Sequence, residues 1–161
     1  RRVLFRSFLH MLGNPVAVID STGSTSMTRS LNLSYPLGIL DVQRTLAVCA
    51  EDGVAAVIIA MNNATLQREA LESVNVDVLG SERVAQGEDV ASLKTRYAFV
   101  SDRALALTVP TGESDELAAE SPAMFDQDRL GHMSLAVAMV LAAGVRRNNV
   151  RSALRVANNL R

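Results

Sequence analysis

Apolar residues along this chain follow two patterns, short dense runs and longer stretches at helical spacing. The runs "PVAVI" (15–19), "VAAVIIA" (54–60), "VNVDVLG" (74–80) and "RALALTV" (103–109) predict strands, each bounded by turn residues. Between them, "GILDVQRTLAVCAEDG" (38–53) sets Ile39, Val42, Leu46 and Cys49 at helical spacing, with Gly53 as the stop. Further helices are predicted over 64–73, 88–97 and 115–120, the last after a "PTGES" loop. The C-terminal third is predicted helical over 129–144, ending at Gly144, and again over 147–159. Strands that alternate with helices and read as continuous apolar runs indicate a parallel sheet covered on both faces. The expected fold is therefore α/β, with a mostly parallel sheet flanked by helices and a helical C-terminal end.

The polar positions after the first run raise a chemical question. "DSTGSTS" (20–26) follows a strand and is expected to open a helix. In a parallel sheet, ligands sit beyond the carboxyl ends of the strands. A phosphate-binding loop there needs glycine for close backbone approach, free N–H groups, a lysine, and a Ser or Thr for magnesium. Gly23 and the hydroxyls of Ser21, Thr22, Ser24 and Thr25 are present, but Lys94 is the only lysine in the chain. On local chemistry, a nucleotide site and a structural turn both remain open.

Composition narrows the rest. A chain of 161 residues, 48% hydrophobic, has room for one sizeable core. A net charge of −1 gives no attraction for nucleic acid. The longest nearly unbroken apolar run, Met133 to Val145, is shorter than the roughly 20 residues a spanning helix needs. No membrane association is expected. One cysteine, Cys49, permits no internal disulfide and fits a reducing, cytoplasmic setting. Residues 1–7, "RRVLFRS", resemble a translated sequencing-adapter read and are set aside. The expected organisation is then one incomplete domain over 8–161, its natural N-terminus missing.

"VAVIDSTGSTSMTR" resembles the strand and phosphate loop of the Mur ligase family, whose pattern is Gly-Thr-Asn-Gly-Lys-Thr-Thr/Ser. "LDVQRTLAVCAEDGVAAVIIA" resembles the helix and strand that follow in the UDP-N-acetylmuramoyl-tripeptide synthetase branch, with Asp77 at an aspartate of the next strand. "SLKTRYAF" resembles the segment carrying the family's carbamylated lysine, which falls on Lys94. "ALTVPTGESDELA" and "LAVAMVLAAGVRRNNVRSAL" resemble the strand–loop–helix and the helix pair that close the central ATPase domain. The resemblance spans about 15–160. "LQREAL" with "VDV" also resembles the cyanophycin-synthetase branch.

This resemblance implies a P-loop-like central domain of an ATP-dependent amide ligase. It implies ATP and magnesium as cofactors, and a UDP-linked muramoyl peptide and an amino acid as substrates. Nucleotide contacts fall on Ser21, Thr22, Gly23, Ser24 and Thr25, and a catalytic role on Lys94. The chain departs from the pattern at its charged positions. Ser24 stands at the phosphate-loop lysine and Ala60 at the magnesium glutamate. Asn62, Asn63 and Ala64 replace Ser-Ser-His, Glu82 and Arg83 replace Asp-His, and Thr108 to Thr111 replace Asn-Ala-Asp-Asp. Phosphoryl transfer from ATP depends on such charges for positioning and stabilisation. No metal site is assigned, and a catalytically impaired chain is expected. The alternatives are a non-catalytic binding or scaffold module of the same fold, and an unrelated parallel α/β domain.

Other chemistry-bearing residues have plainer readings. Cys49 lies on the apolar face of its helix and is expected in the core. Residues 67–69, "QRE", read as a solvated face, and His132 has no assigned ligand role. The stripe from Met133 to Leu141 reads as core packing.

Overall fold

A computed structural model describes residues 15–81, 89–102, 104–119 and 127–144, with side chains from 134 onward in the last segment. Residues 1–7, Glu82, Arg83, the side chain of His132 and the helix expected over 147–159 lie outside the described residues. The chain resolves into two compact units, one formed by Gly13–Asn75 with Ala91–Ser101, the other by Arg1–Leu12, Val76–Val90 and Asp102–Arg161. The fold class is mixed α/β.

In the first unit, β1 (Val16–Ile19) is buried along its whole length, as its apolar run requires. β2 (Ser24–Ser26) and β3 (Arg29–Leu31) follow at once, before α1 (Ile39–Glu51) and β4 (Ala56–Ile59). The sheet order is β3-β2-β1-β4. β1 pairs parallel with β4, from Val16↔Ala56 to Ile19↔Ile59. It pairs antiparallel with β2, and β2 with β3. The sheet is thus mixed, not mostly parallel. The helix expected after Gly23 is a β-hairpin, because Thr25 and Ser26 extend along the free edge of β1 and satisfy their backbone groups there.

α1 forms where its apolar spacing predicts. The Asp41 carboxylate reaches back to accept the Gly38 N–H at 3.1 Å, in the manner of an N-terminal cap. Val42, Thr45 and Cys49 form the buried face. The buried Thr45 hydroxyl is satisfied by donating to the Asp41 carbonyl at 2.7 Å. Gly53 ends the helix with φ +79° and returns its N–H to the Ala50 carbonyl.

The helix expected over 64–73 is instead a chain of turns. Its residues favour helix, but its N–H groups go elsewhere. Gln67 donates to the Leu37 carbonyl, Glu69 to Arg96 and Leu71 to Tyr97. Glu69 and Ser73 take φ of +61° and +62°, which no α-helix contains. The partners 96 and 97 end α2 (Val90–Tyr97), close to the 88–97 expected.

In the second unit, β5 (Leu79–Gly80) and β6 (Leu107–Thr108) form a separate two-stranded parallel sheet. Among the described residues they are the only ladder formed by the strands expected over 74–80 and 103–109. Asn75 makes only an isolated bridge to Val100, in the first unit. α3 (Gly112–Ala119) and α4 (Gln127–Ala142) complete this unit. Leu117 and Ala118 of α3 are buried, as are Ala136, Val137, Ala138 and Val140 of α4, in keeping with core packing for that stripe.

Candidate functional site

The parallel pairing of β1 and β4 brings their carboxyl ends together, and the Ala60 N–H donates to the Ile19 carbonyl at 3.0 Å. The loop after β1 (20–23) and the turn after β4 (60–65) therefore share one edge of the sheet. Ser21, Thr22 and Gly23 lie in this loop, while Ser24 and Thr25 run back along β1 as part of β2.

The backbone N–H groups of the loop decide what it can bind. That of Asp20 donates to Ser24 Oγ at 3.0 Å. That of Ser21 donates to Thr65 Oγ1 at 3.1 Å. That of Thr22 donates to Asp20 Oδ1 at 3.1 Å, closing an Asx turn. That of Gly23 donates to the Asp20 carbonyl at 3.0 Å. Each of these consecutive N–H groups already has an acceptor inside the protein. Gly23, at φ +145°, supplies a backbone conformation that side chains rarely allow.

The side chains close the loop further. Ser24 is only 3% exposed, its hydroxyl shared with the Tyr35 hydroxyl and the Asp20 carbonyl. The half-buried Asp20 also accepts the Ser21 hydroxyl on Oδ1, at 3.4 Å. On the facing turn, the Thr65 N–H donates to Asn62 Oδ1 at 2.9 Å. Asn63 Oδ1 receives the Tyr97 hydroxyl at 3.5 Å, the outer limit of a hydrogen bond.

ATP and magnesium do not fit these residues. A phosphate-binding loop leaves its N–H groups free for the ligand at a helix N-terminus, and here all four already donate, to Ser24, Thr65 and Asp20. The Asp20 carboxylate at the loop repels a phosphate, at roughly 1–4 kcal/mol per unit charge about 4 Å away, depending on the local dielectric. Ala60 offers no magnesium ligand. Among the described residues, no group of three or more His, Cys, Asp or Glu is placed to hold a metal ion. Lys94 sits in the last turn of α2 with its side chain exposed, one turn before the buried Tyr97. Residues 67–69 are exposed, in keeping with a solvated face, and Cys49 is buried.

Two polar clusters escaped the sequence reading. In the first unit, Asp52 Oδ2 accepts Ser26 Oγ and an Arg29 guanidinium nitrogen, both at 2.6 Å. The Ser26 hydroxyl and then the Arg29 guanidinium hold the Asp52 carboxyl below the usual carboxylate range. Burial pushes the nearby Cys49 thiol up, a shift only partly opposed by its contact with Ser26. In the second unit, Thr111 and Ser114 cap α3 reciprocally: the Thr111 N–H donates to Ser114 Oγ at 2.7 Å, and the Ser114 N–H to Thr111 Oγ1 at 3.1 Å. Ser114 Oγ also meets Ser134 Oγ of α4 at 2.7 Å, and Ser134 donates to Asp115 Oδ1 at 2.5 Å.

Comparison of the chain with family models, characterised proteins and solved structures finds no match. Among the described residues, no helix is long and apolar enough to cross a membrane.

Proposed function

We propose that this chain is a non-catalytic α/β binding or scaffold module without ATPase chemistry, the alternative to a Mur-type ligase domain. The observation that carries this reading is the saturation of the 20–23 N–H groups by acceptors inside the protein. A loop that spends its donors on its own turn stabilises a hairpin and has little left for a phosphate. The departures at Ser24 and Ala60 support the same reading, since they remove the cation and the metal ligand on which phosphoryl transfer depends.

Calorimetric titration with MgATP tests it. Wild-type protein is expected to bind nothing up to roughly 1 mM, a threshold of about −4 kcal/mol. The double variant Ser24→Lys, Ala60→Glu is expected to gain no binding either. Its lysine would begin at a buried strand position, and the loop N–H groups would still be occupied. Micromolar MgATP binding by the wild type would overturn the proposal.

A further inference from the structure

Among the described residues β4 is an outer strand of its sheet, with β1 its one ladder neighbour. Its stretch Ala56-Val57-Ile58-Ile59 has no charge and no proline, two of the devices with which edge strands block further pairing. The Ala55 and Ala56 N–H groups both donate to the Pro15 carbonyl beside β1, at 2.9 and 3.3 Å. The Ala55 carbonyl, in the same peptide unit as the Ala56 N–H, therefore faces away from β1. The Ala60 N–H donates to Ile19 at 3.0 Å. Strand alternation then directs the N–H and C=O of Val57 and Ile59 to the opposite side, away from β1. Val57 is 36% exposed, and Ala55 is exposed as well.

The edge is also self-complementary. Read antiparallel to itself about Val57, it sets Ala56 opposite Ile58 and Ala55 opposite Ile59. A small side chain meets a large one at each flanking pair, so the two strands fill one another's gaps without bulky clashes. We propose that β4 pairs antiparallel with β4 of a second copy of this chain, across a two-fold axis at Val57. The Val57 N–H of each copy would donate to the Val57 carbonyl of the other. Each Ile59 N–H would donate to the Ala55 carbonyl of the other copy. The interface is isologous, as a two-fold axis demands, and joins two four-stranded sheets into one. It uses few residues per copy, less than the ~800 Å² per partner of a standard interface. The dimer is therefore weak and concentration-dependent.

The test combines sedimentation velocity with amide hydrogen exchange on wild-type protein, at roughly 10 μM and 1 mM. The expected result is a dimer at the higher concentration, with exchange at Val57 and Ile59 slowed at least about tenfold, equivalent to 1.4 kcal/mol. Val57→Lys places like charges on the axis, and is expected to stay monomeric while keeping the wild-type circular dichroism spectrum. A wild-type monomer at the higher concentration would overturn the proposal. So would a dimer in which Val57 and Ile59 exchange as fast as in the monomer, a readout that needs no variant. A folded Val57→Lys protein that still dimerises would overturn it too.

Discussion

The backbone N–H of Ser21 donates to the hydroxyl of Thr65, 44 residues along the chain, at 3.1 Å. Thr65 is fully buried, and its bond ties the loop after β1 to the turn after β4. Replacing it with valine keeps the shape but leaves a part-buried N–H without its acceptor. Thr65→Val is expected to destabilise the protein by about 1–3 kcal/mol, and Thr65→Ser by clearly less. Urea unfolding curves measure both. Equal midpoints for wild type and Thr65→Val would show that the bond contributes nothing.

The Asp52 clamp gives a pH dependence of known sign. Its carboxyl is held below the ordinary range by Ser26 and Arg29, so between the folded and unfolded values the unfolded chain binds more protons. Stability from this group is present above the unfolded value of about 3.9, and is lost as pH falls through the lowered folded value. Thermal unfolding of Asp52→Asn is expected to show a flatter acid limb than wild type. Parallel acid limbs would remove Asp52 from the explanation.

How much of this was legible in the sequence varied with the kind of interaction. β1 and α1 were legible because burial and helical spacing leave a direct mark on residue order, as in Val16 to Ile19 and in Val42 with Cys49. The position of Ser21 to Gly23 at a strand's carboxyl end was legible for the same reason. The hairpin at 24–31 was not, since "STSMTRSL" has little apolar alternation and is a strand only because β1 offers it an edge. Nor was the turn chain at 64–73, where helix-favouring residues are overridden by bonds to Leu37, Arg96 and Tyr97. The loop's N–H partners Ser24 and Thr65 become visible only once the fold sets them beside it.

The cap of α3 and its tie to α4 make a second stability prediction. Ser114→Ala removes the acceptor of the Thr111 N–H and the partner of Ser134 together. It is expected to cost about 1–3 kcal/mol, with Ser134→Ala costing less because the exposed Asp115 can hydrate. A double-mutant cycle should give a coupling of at least about 0.5 kcal/mol. Strict additivity would mean the two hydroxyls do not act together.

Gly80 in β5 is pressed against Met139 of α4. A β-carbon at Gly80 would lie 2.3 Å from the Met139 Sδ and 2.8 Å from its Cγ. Gly80→Ala is expected to cost about 1–3 kcal/mol as the methionine is displaced. Shortening the neighbour as well, in Gly80→Ala with Met139→Val, should recover part of that loss. Thermal denaturation of both variants checks it, and a neutral Gly80→Ala would show that the side chain moves aside freely.

The most direct measurement is a nitrogen–proton correlation spectrum of the isotope-labelled chain, followed through titration with MgATP. The amide signals of Asp20, Ser21, Thr22 and Gly23 report on the four N–H groups that a phosphate would have to capture. They are expected to stay in place up to roughly 1 mM ligand. Saturable shifts confined to these four amides at micromolar MgATP would show that the loop releases its internal acceptors for phosphate, and would contradict a non-catalytic hairpin.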